Sequence, residues 1–445
     1  MKILQVLISH ILSSTELILI SAFMSLIIAG SIILAMPFCN NTPISYLDSL
    51  FTSTSAVCVT GLIVRDTGGD FNTAGQAVIL FLIQLGGLGT MTFFGLLSFL
   101  IGKRITINSK YALYNSFFQK ETAHNLKKLI ISIFLLTIVI ESIGAFLLHQ
   151  RINQVFSSIF HSVSAFCNAG FSLYSDSLMG YNNDIFLLSI IMSLIFLGGI
   201  GYIVYYDIFK LIMIKVKNIR QVYILPLHTK IVLITSFLLI ITGCVLFLLF
   251  GFEMDAPFHI RLINSLFQSV TARTAGFNSI DTASLPVNSL FSTAILMFIG
   301  GSPGSCAGGI KTSVFFVLLL YVYTLLKGGD RVRIYNRSIR NDIISRMVLL
   351  FFIAFFWNIA GLIILSTFEG RNPAIRSIDI VFEQLSAFGT VGLSTGITTG
   401  LSSFGKIWII LTMFFGRLGP LTIAFALVKK QAYLYRMPQE DVLIG

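Results

Sequence analysis

Four short stretches of this chain repeat one pattern: SAVCVTGL at 55–62, SAFCNAGF at 164–171, TARTAGFN at 271–278 and SAFGTVGL at 386–393. Each begins with Ser or Thr followed by Ala and runs to a glycine, at Gly61, Gly170, Gly276 and Gly392. The step from hydroxyl to glycine is six residues in three copies and five in the third. Small side chains and a glycine, which adopts backbone conformations costly to other residues, leave the main chain as the reactive surface. Rings of backbone carbonyls can replace the hydration shell of a cation. The residues that would supply them are Val59, Thr60 and Gly61; Asn168, Ala169 and Gly170; Thr274, Ala275 and Gly276; and Thr390, Val391 and Gly392. Helix packing through small residues is the other use of such glycines in membranes. A single copy leaves both uses open, and four copies with matching flanks favour the cation site.

The flanks define what must position these loops. Each is preceded by a half-length apolar segment with a shared phenylalanine, Phe51, Phe160, Phe267 or Phe382. Such segments are too short to cross a bilayer and read as re-entrant helices. Each loop is followed by a full-length apolar run with a second glycine cluster: Gly86-Gly87-Leu88-Gly89, Gly198-Gly199-Ile200-Gly201, Gly300-Gly301 and Gly416-Arg417-Leu418-Gly419. With 55% hydrophobic residues, 11% charged and a mean hydropathy of +0.88, the 445-residue chain is a polytopic membrane protein. Apolar runs long enough to span recur around 15–37, 77–102, 128–148, 184–214, 230–252, 287–327, 346–367 and 405–428. The expected fold is all-α, with four repeats of span, pore helix, loop and span in pseudo-fourfold arrangement around one ion pore. The repeats are 1–109, 110–222, 223–338 and 339–445. Irregular backbone is tolerated at membrane depth only inside protein or along a watery cavity, so four such loops should converge.

The net charge of +11 is distributed against the spans. Basic residues gather after the second span (Lys103, Arg104, Lys110, Lys120, Lys127, Lys128), the fourth (Lys210, Lys215, Lys217, Arg220, Lys230) and the sixth (Lys327, Arg331, Arg333, Arg337, Arg340, Arg346). Lys2, Lys429, Lys430 and Arg436 flank the chain, and the positive-inside bias then puts these loops and both termini in the cytoplasm. The opening MKILQVLISHIL lacks a small-residue cleavage site and reads as a retained lead-in. Five cysteines without CxxC spacing and six dispersed histidines offer no metal, disulfide or nucleophilic constellation. Nucleic acid is not an expected partner, and no dinucleotide fingerprint is present.

The sixth run is interrupted by IGGSPGSCAGGIKT at 299–312, where five glycines and Pro303 make a continuous helix improbable. The stretch nearly spells a phosphate-binding loop, but Lys311 comes one residue late and no strand precedes it. Gly300 to Gly304 also fits GxSxG, without the strand-turn-helix context that exposes a nucleophile. The favoured reading is a flexible mid-membrane loop on the cytoplasmic side of the four glycines. It comprises Gly300, Gly301, Ser302, Pro303, Gly304, Ser305, Cys306, Ala307, Gly308, Gly309 and Lys311, with Lys311 either in the plug or reaching for an aqueous cavity. Arg417 is an intramembrane cation, costly unless paired or facing water. Repeat equivalence turns it toward the same pathway; pairing with a helix C-terminus or with Glu383 is the alternative. Arg273 should point behind its loop, Glu141 and Glu383 should pair or pack internally, and Asp48 and Asp379 should sit at the positive ends of short helices.

The four repeats, with TARTAGFN and GGSPGSCAGGIKT as the specific stretches, resemble the Trk/Ktr/HKT superfamily of potassium transporters, in particular its KtrB-type membrane subunits. The resemblance implies potassium as the main permeant ion, because this chain has Gly61 where some sodium-preferring relatives have serine. It is compatible with a sodium requirement. It further implies a gating role for the 300–311 loop, an electrostatic barrier at Arg417, and no cofactor within this chain. A homodimer in the cytoplasmic membrane and a cytosolic ring of RCK-type nucleotide-binding subunits are implied as well. The basic loops suit docking to that ring or contact with anionic membrane lipid.

Overall fold

A computed structural model describes residues 15–88, 126–216, 224–251, 257–335, 337–420 and 422. The second half of the second span with Gly89, basic residues 103–120, 217 and 220, and the terminal residues Lys2, Lys429, Lys430 and Arg436 lie outside this set, as do the side chains of Lys127 and Lys128. The described residues are helical apart from loops and one small hairpin, β1 (Arg333–Ile334) with antiparallel β2 (Arg337–Ser338).

The helices fall into four equivalent sets. The first has α1 (Thr15–Leu34), α2 (Tyr46–Val57) and α3 (Thr73–Gly87); the second has α4 (Leu126–Ile152), α5 (Val155–Phe166), α6 (Ile185–Ile200) and α7 (Tyr202–Val216). The third has α8 (Leu227–Phe250), α9 (Phe258–Thr271), α10 (Val287–Phe298) and α11 (Thr312–Leu326); the fourth has α12 (Asn341–Glu369), α13 (Ser377–Gly389) and α14 (Ser403–Leu418). The half-length segments are α2, α5, α9 and α13, of 12, 12, 14 and 13 residues. At 1.5 Å per residue they reach about 20 Å, short of a core about 30 Å thick. By length and hydropathy α4, α8 and α12 each suffice to cross alone.

Two spans differ from continuous helices. The third repeat's inner span is broken between α10 and α11, as its glycines predict. The run at 184–214, expected as one span, bends by 97° between α6 and α7. The cause is Gly201, whose φ of 95° and ψ of 146° leave the helix, and where an added Cβ would stand 2.6 Å from the Pro303 carbonyl oxygen.

Each short helix is held by its own outer helix through one recurrent contact. Gly30, Gly144 and Gly243 on α1, α4 and α8 face Ser53, Ser162 and Ser269 on α2, α5 and α9. Those serine hydroxyls donate to the carbonyls of Ile27, Glu141 and Ile240, each at 2.7 Å and each three residues before the glycine. The fourth repeat substitutes side chains: Gly361 faces Gln384, whose amide donates to Asn358 Oδ1 at 3.3 Å and accepts from Trp408 Nε1 at 2.9 Å. The sets then close on one another, α3 packing on α5, α6 on α9, α10 on α13 and α14 on α2. Phe51, Phe160, Phe267 and Phe382 are fully buried in the core this creates.

An added Cβ at Gly144 would lie 2.5 Å from Ser162 Oγ and 2.8 Å from the methyl groups of Leu194. Gly144→Val should therefore destabilise the detergent-solubilised protein by about 1–3 kcal/mol, read as a lower thermal unfolding midpoint. Gly400→Ala, where an added Cβ meets none of the described residues within 4 Å, should leave the midpoint unchanged.

Candidate functional site

The C-terminal ends of α2, α5, α9 and α13 lead directly into the four glycine loops, so the negative end of each helix dipole faces the place where the loops meet. Every loop has the same backbone alternation. A non-glycine residue with positive φ (Val59 55°, Asn168 60°, Thr274 79°, Thr390 50°) is followed, two residues on, by the glycine (Gly61 90°, Gly170 69°, Gly276 79°, Gly392 93°). Left-handed backbone is rare for side chains of these types, and strain of this kind persists only where the surroundings enforce it.

The enforcing groups are the last turns of the short helices. Val59, Asn168 and Thr390 N–H groups donate to the carbonyls of Ala56, Ala165 and Ala387 at 3.1, 3.1 and 3.2 Å. Thr60, Ala169 and Val391 N–H groups donate to the Ser55, Ser164 and Ser386 carbonyls at 2.8, 2.7 and 2.9 Å. In the shorter third copy Ala275 N–H reaches Thr271 at 2.9 Å, so the missing residue is absorbed at the helix end and the loop geometry survives. The opening hydroxyls complete the tether in two ways. Ser55 and Ser386 accept from the N–H of Gly61 and Gly392 at 3.0 and 3.1 Å, whereas Ser164 and Thr271 donate to the carbonyls of Phe171 and Phe277 at 2.8 and 2.9 Å.

With their amides turned back to the helices, the loops leave their carbonyls free. Among the described residues no donor reaches the carbonyl oxygens of 59–61, 168–170, 274–276 or 390–392. All twelve residues are buried except Gly170 and Gly392, which are half-buried. Buried carbonyls without partners are uncommon in folded proteins. The four loops also form a closed ring. A Cβ on Gly61 would stand 2.4 Å from Ala169 O, one on Gly170 2.6 Å from Ala275 O, one on Gly276 2.3 Å from Val391 O, and one on Gly392 2.2 Å from Thr60 O. Each glycine thus lets the next loop's carbonyl approach, and the cyclic order is first, second, third, fourth, first.

Beside this ring lies the loop between α10 and α11. It closes on itself through a parallel bridge of Ile299 with Ile310, with Gly300 N–H donating to Ile310 at 2.9 Å and Thr312 N–H to Gly301 at 3.1 Å. It docks on the bend of the second repeat: Ser302 and Cys306 N–H groups donate to Gly199 and Gly198 at 3.1 and 3.3 Å, and Tyr202 N–H donates to Gly304 at 3.1 Å. At Gly308 an added Cβ would lie 2.2 Å from Thr390 Oγ1, so the loop abuts the fourth carbonyl segment. Lys311 folds back within the loop, its ammonium donating to the Ala307 carbonyl at 2.6 Å. Arg417 donates to the carbonyls of Cys306, in the loop, and Gly86, at the end of α3. One guanidinium therefore joins the first, third and fourth repeats, and it contacts a helix C-terminus as well as the loop rather than Glu383.

The remaining charged residues fall into supporting positions. Arg273 points behind its loop and donates to the carbonyl and hydroxyl of Ser236 on α8, both at 3.3 Å. Asp48 lies in the first turn of α2, paired with Lys406 at 2.7 Å and Arg65 at 3.1 Å. Asp379 lies in the first turn of α13, paired with Arg376 at 2.8 Å. Glu141 accepts from Gln84 Nε2 at 3.2 Å and lies 3.8 Å from Cys167 Sγ, a cluster across two repeats that sequence spacing does not announce. The docking role of Gly198 to Gly201 was also beyond sequence reasoning, although the glycine cluster itself marked the place.

A family of cation transport proteins, TrkH, matches residues 11–436. Among curated relatives, the potassium/sodium uptake protein NtpJ of Enterococcus hirae is 38% identical, with 98% of each chain aligned. The Ktr system potassium uptake protein B of Bacillus subtilis is also 38% identical, with 96% of each chain aligned. The fold is that of the potassium transporter TrkH from Vibrio parahaemolyticus, at a TM-score of 0.73 and 20% identity over 93% of this chain and 84% of that one. With its four loop-bearing repeats closed into one ring, the chain belongs to the TrkH family of cation transport proteins.

Proposed function

We propose that this chain takes up potassium across the cell membrane, passing the ion through the ring formed by residues 59–61, 168–170, 274–276 and 390–392. The observation that carries the reading is the set of twelve carbonyls that no donor reaches among the described residues, in loops whose amides engage the short helices. A dehydrated cation satisfies such oxygens as water would, and four helix C-termini add favourable potential. Potassium uptake named for relatives at 38% identity supports the choice of ion, and the potassium/sodium wording of one of them supports sodium as a second or coupled ion. Membership of a family of transport proteins is the reason to read the chain as a transporter and not as an enzyme.

The loop at 300–309 with Lys311 and Arg417 serves as the gate. Its seat beside Thr390, and the two carbonyls held by Arg417, support a closed barrier whose positive charges oppose a cation until the loop moves. Repeats with boundaries 1–109, 110–222, 223–338 and 339–445 form the functional quarters. Both termini and the basic loops face the cytoplasm by the positive-inside bias. The chain acts as the membrane subunit of a Ktr-type system, as a homodimer in contact with membrane lipid and with a cytosolic RCK-type nucleotide-binding ring. Relatives named as parts of a Ktr system support that assignment.

Gly61→Ser places a side chain against the Ala169 carbonyl. Potassium over sodium preference should fall by about tenfold or more, the equivalent of one interaction of about 1.4 kcal/mol, in uptake by potassium-transport-deficient cells expressing the chain with its regulatory partner. Unchanged preference, with the protein confirmed in the membrane, would remove the loops from the ion path. Arg417→Gln removes a charge-assisted latch, so potassium flux should rise severalfold and Cys306, now buried, should react faster with a membrane-permeant thiol reagent. Unaltered flux and labelling would count against the gate.

A further inference from the structure

The residue that follows the shared phenylalanine differs in all four repeats: Thr52, His161, Gln268 and Glu383. All four side chains are buried behind the glycine loops. In the second and fourth repeats, and only there among the described residues, this side chain reaches over to the chain just beyond the glycine. His161 Nε2 lies 3.0 Å from Ser172 Oγ, and Glu383 accepts from Ser394 Oγ at 2.9 Å. Ser172 and Ser394 each stand two residues after the glycine, and each hydroxyl also accepts the N–H two residues further on, from Tyr174 and Gly396, both at 3.0 Å. The arrangement is thus the same in both repeats although the side chains are chemically unlike.

The surroundings fix both groups. His161 Nδ1 lies 2.8 Å from the Ser157 carbonyl, which can only accept, so Nδ1 carries a proton, and in the neutral ring Nε2 then accepts from the Ser172 hydroxyl. Its ring stacks on Tyr174 at 4.9 Å and contacts Phe277 of the third repeat at 6.3 Å. Glu383 also accepts from Thr398, whose hydroxyl lies 2.8 Å from that of Ser394. In the first repeat the equivalent hydroxyl of Thr52 instead turns back to the Asp48 carbonyl at 2.9 Å, and Ile63 replaces the serine. In the third, Gln268 Nε2 has no partner among the described residues and Asn278 replaces the serine.

We propose that His161 and Glu383 are positioning residues for ion selection, bracing the exit of two opposite loops, through Ser172 and Ser394, so that the Gly170 and Gly392 carbonyls keep their place in the ring. Those two glycines are the half-buried members of the twelve. Having fewer protein neighbours, they depend more on the segment that follows them. The inference rests on the reading of the ring as the ion filter. The braces belong to the second and fourth loops, which face each other in the cyclic order, so the outer ring is held along one diagonal and left to packing along the other.

The test measures potassium and sodium uptake by the full chain with its regulatory partner in transport-deficient cells, alongside membrane abundance. Ser394→Ala and Glu383→Leu should each lower potassium over sodium preference about fivefold, the scale of a single hydrogen bond, while maximal potassium flux changes little. The double variant should fall no further than Glu383→Leu alone, because that change already breaks the contact with Ser394. Glu383→Gln, whose amide oxygen still accepts, should retain most of the preference, and Ser172→Ala should repeat the loss in the second repeat. Should Glu383→Leu not accumulate in the membrane, the two serine variants decide the matter. Unchanged preference in both serine variants, while Gly61→Ser alters it, overturns the brace and leaves the filter standing. Additive losses in the double variant also overturn it, and indifference of Gly61→Ser itself would remove the filter reading beneath it.

Discussion

A chain that leaves its helix inside a membrane must still satisfy its backbone polar groups, and the four glycine loops meet this demand for only half of them. Their N–H groups fold back onto the last carbonyls and opening hydroxyls of the short helices, at 2.7–3.2 Å for the two residues before the glycine in the first, second and fourth loops and at 2.9 Å for Ala275 in the third. Their carbonyls are left without donors among the described residues. The left-handed φ at Val59, Asn168, Thr274 and Thr390 is the conformational consequence. So is the glycine two residues later, where a Cβ would collide with the neighbouring loop. The rest of the architecture serves to hold this arrangement together.

Holding it requires short helices that do not drift. The serine-to-carbonyl contacts beside Gly30, Gly144 and Gly243 fix three of them against their outer helices, with backbone approach replacing large side chains. Between helices in a bilayer, close packing and interhelical hydrogen bonds take the place that hydrophobic burial has in water. The fourth repeat achieves the same with Gln384, Asn358 and Trp408, a polar network instead of a single hydroxyl. The fourfold likeness is therefore one of backbone path, while side chains differ behind the loops, where Arg417 stands and where the loop between α10 and α11 docks.

The docked loop joins separate repeats into one device. It sits on the bend at Gly201, touches Thr390 of the ring, and is pinned by Arg417, which also holds the end of α3. A guanidinium bound to two carbonyls has its donors engaged without a carboxylate partner. The loop's own contacts run to the second and fourth repeats, and Arg417 carries the link on to the first.

The sequence by itself determined the repeat, the loops and the class of protein. Four copies of a Ser/Thr-Ala-to-Gly phrase, each preceded by a phenylalanine, can be aligned without coordinates, and the recurrent apolar runs mark a polytopic membrane protein. The break at 299–312 was legible for the same reason, since consecutive glycines and a proline cannot sustain a helix. Only the tertiary structure decided the rest. The bend at Gly201 looked like the glycine clusters of uninterrupted spans, because its cause is the approach of Pro303 from another repeat. The partners of Arg417, the pairing of Asp48 with Lys406 and the reach of Glu383 to Ser394 join residues on different elements, and the first two cross between repeats. Periodicity reports which face of a helix is apolar, but not which neighbour that face will meet, and it is the closure of four units into a ring that sets those distances.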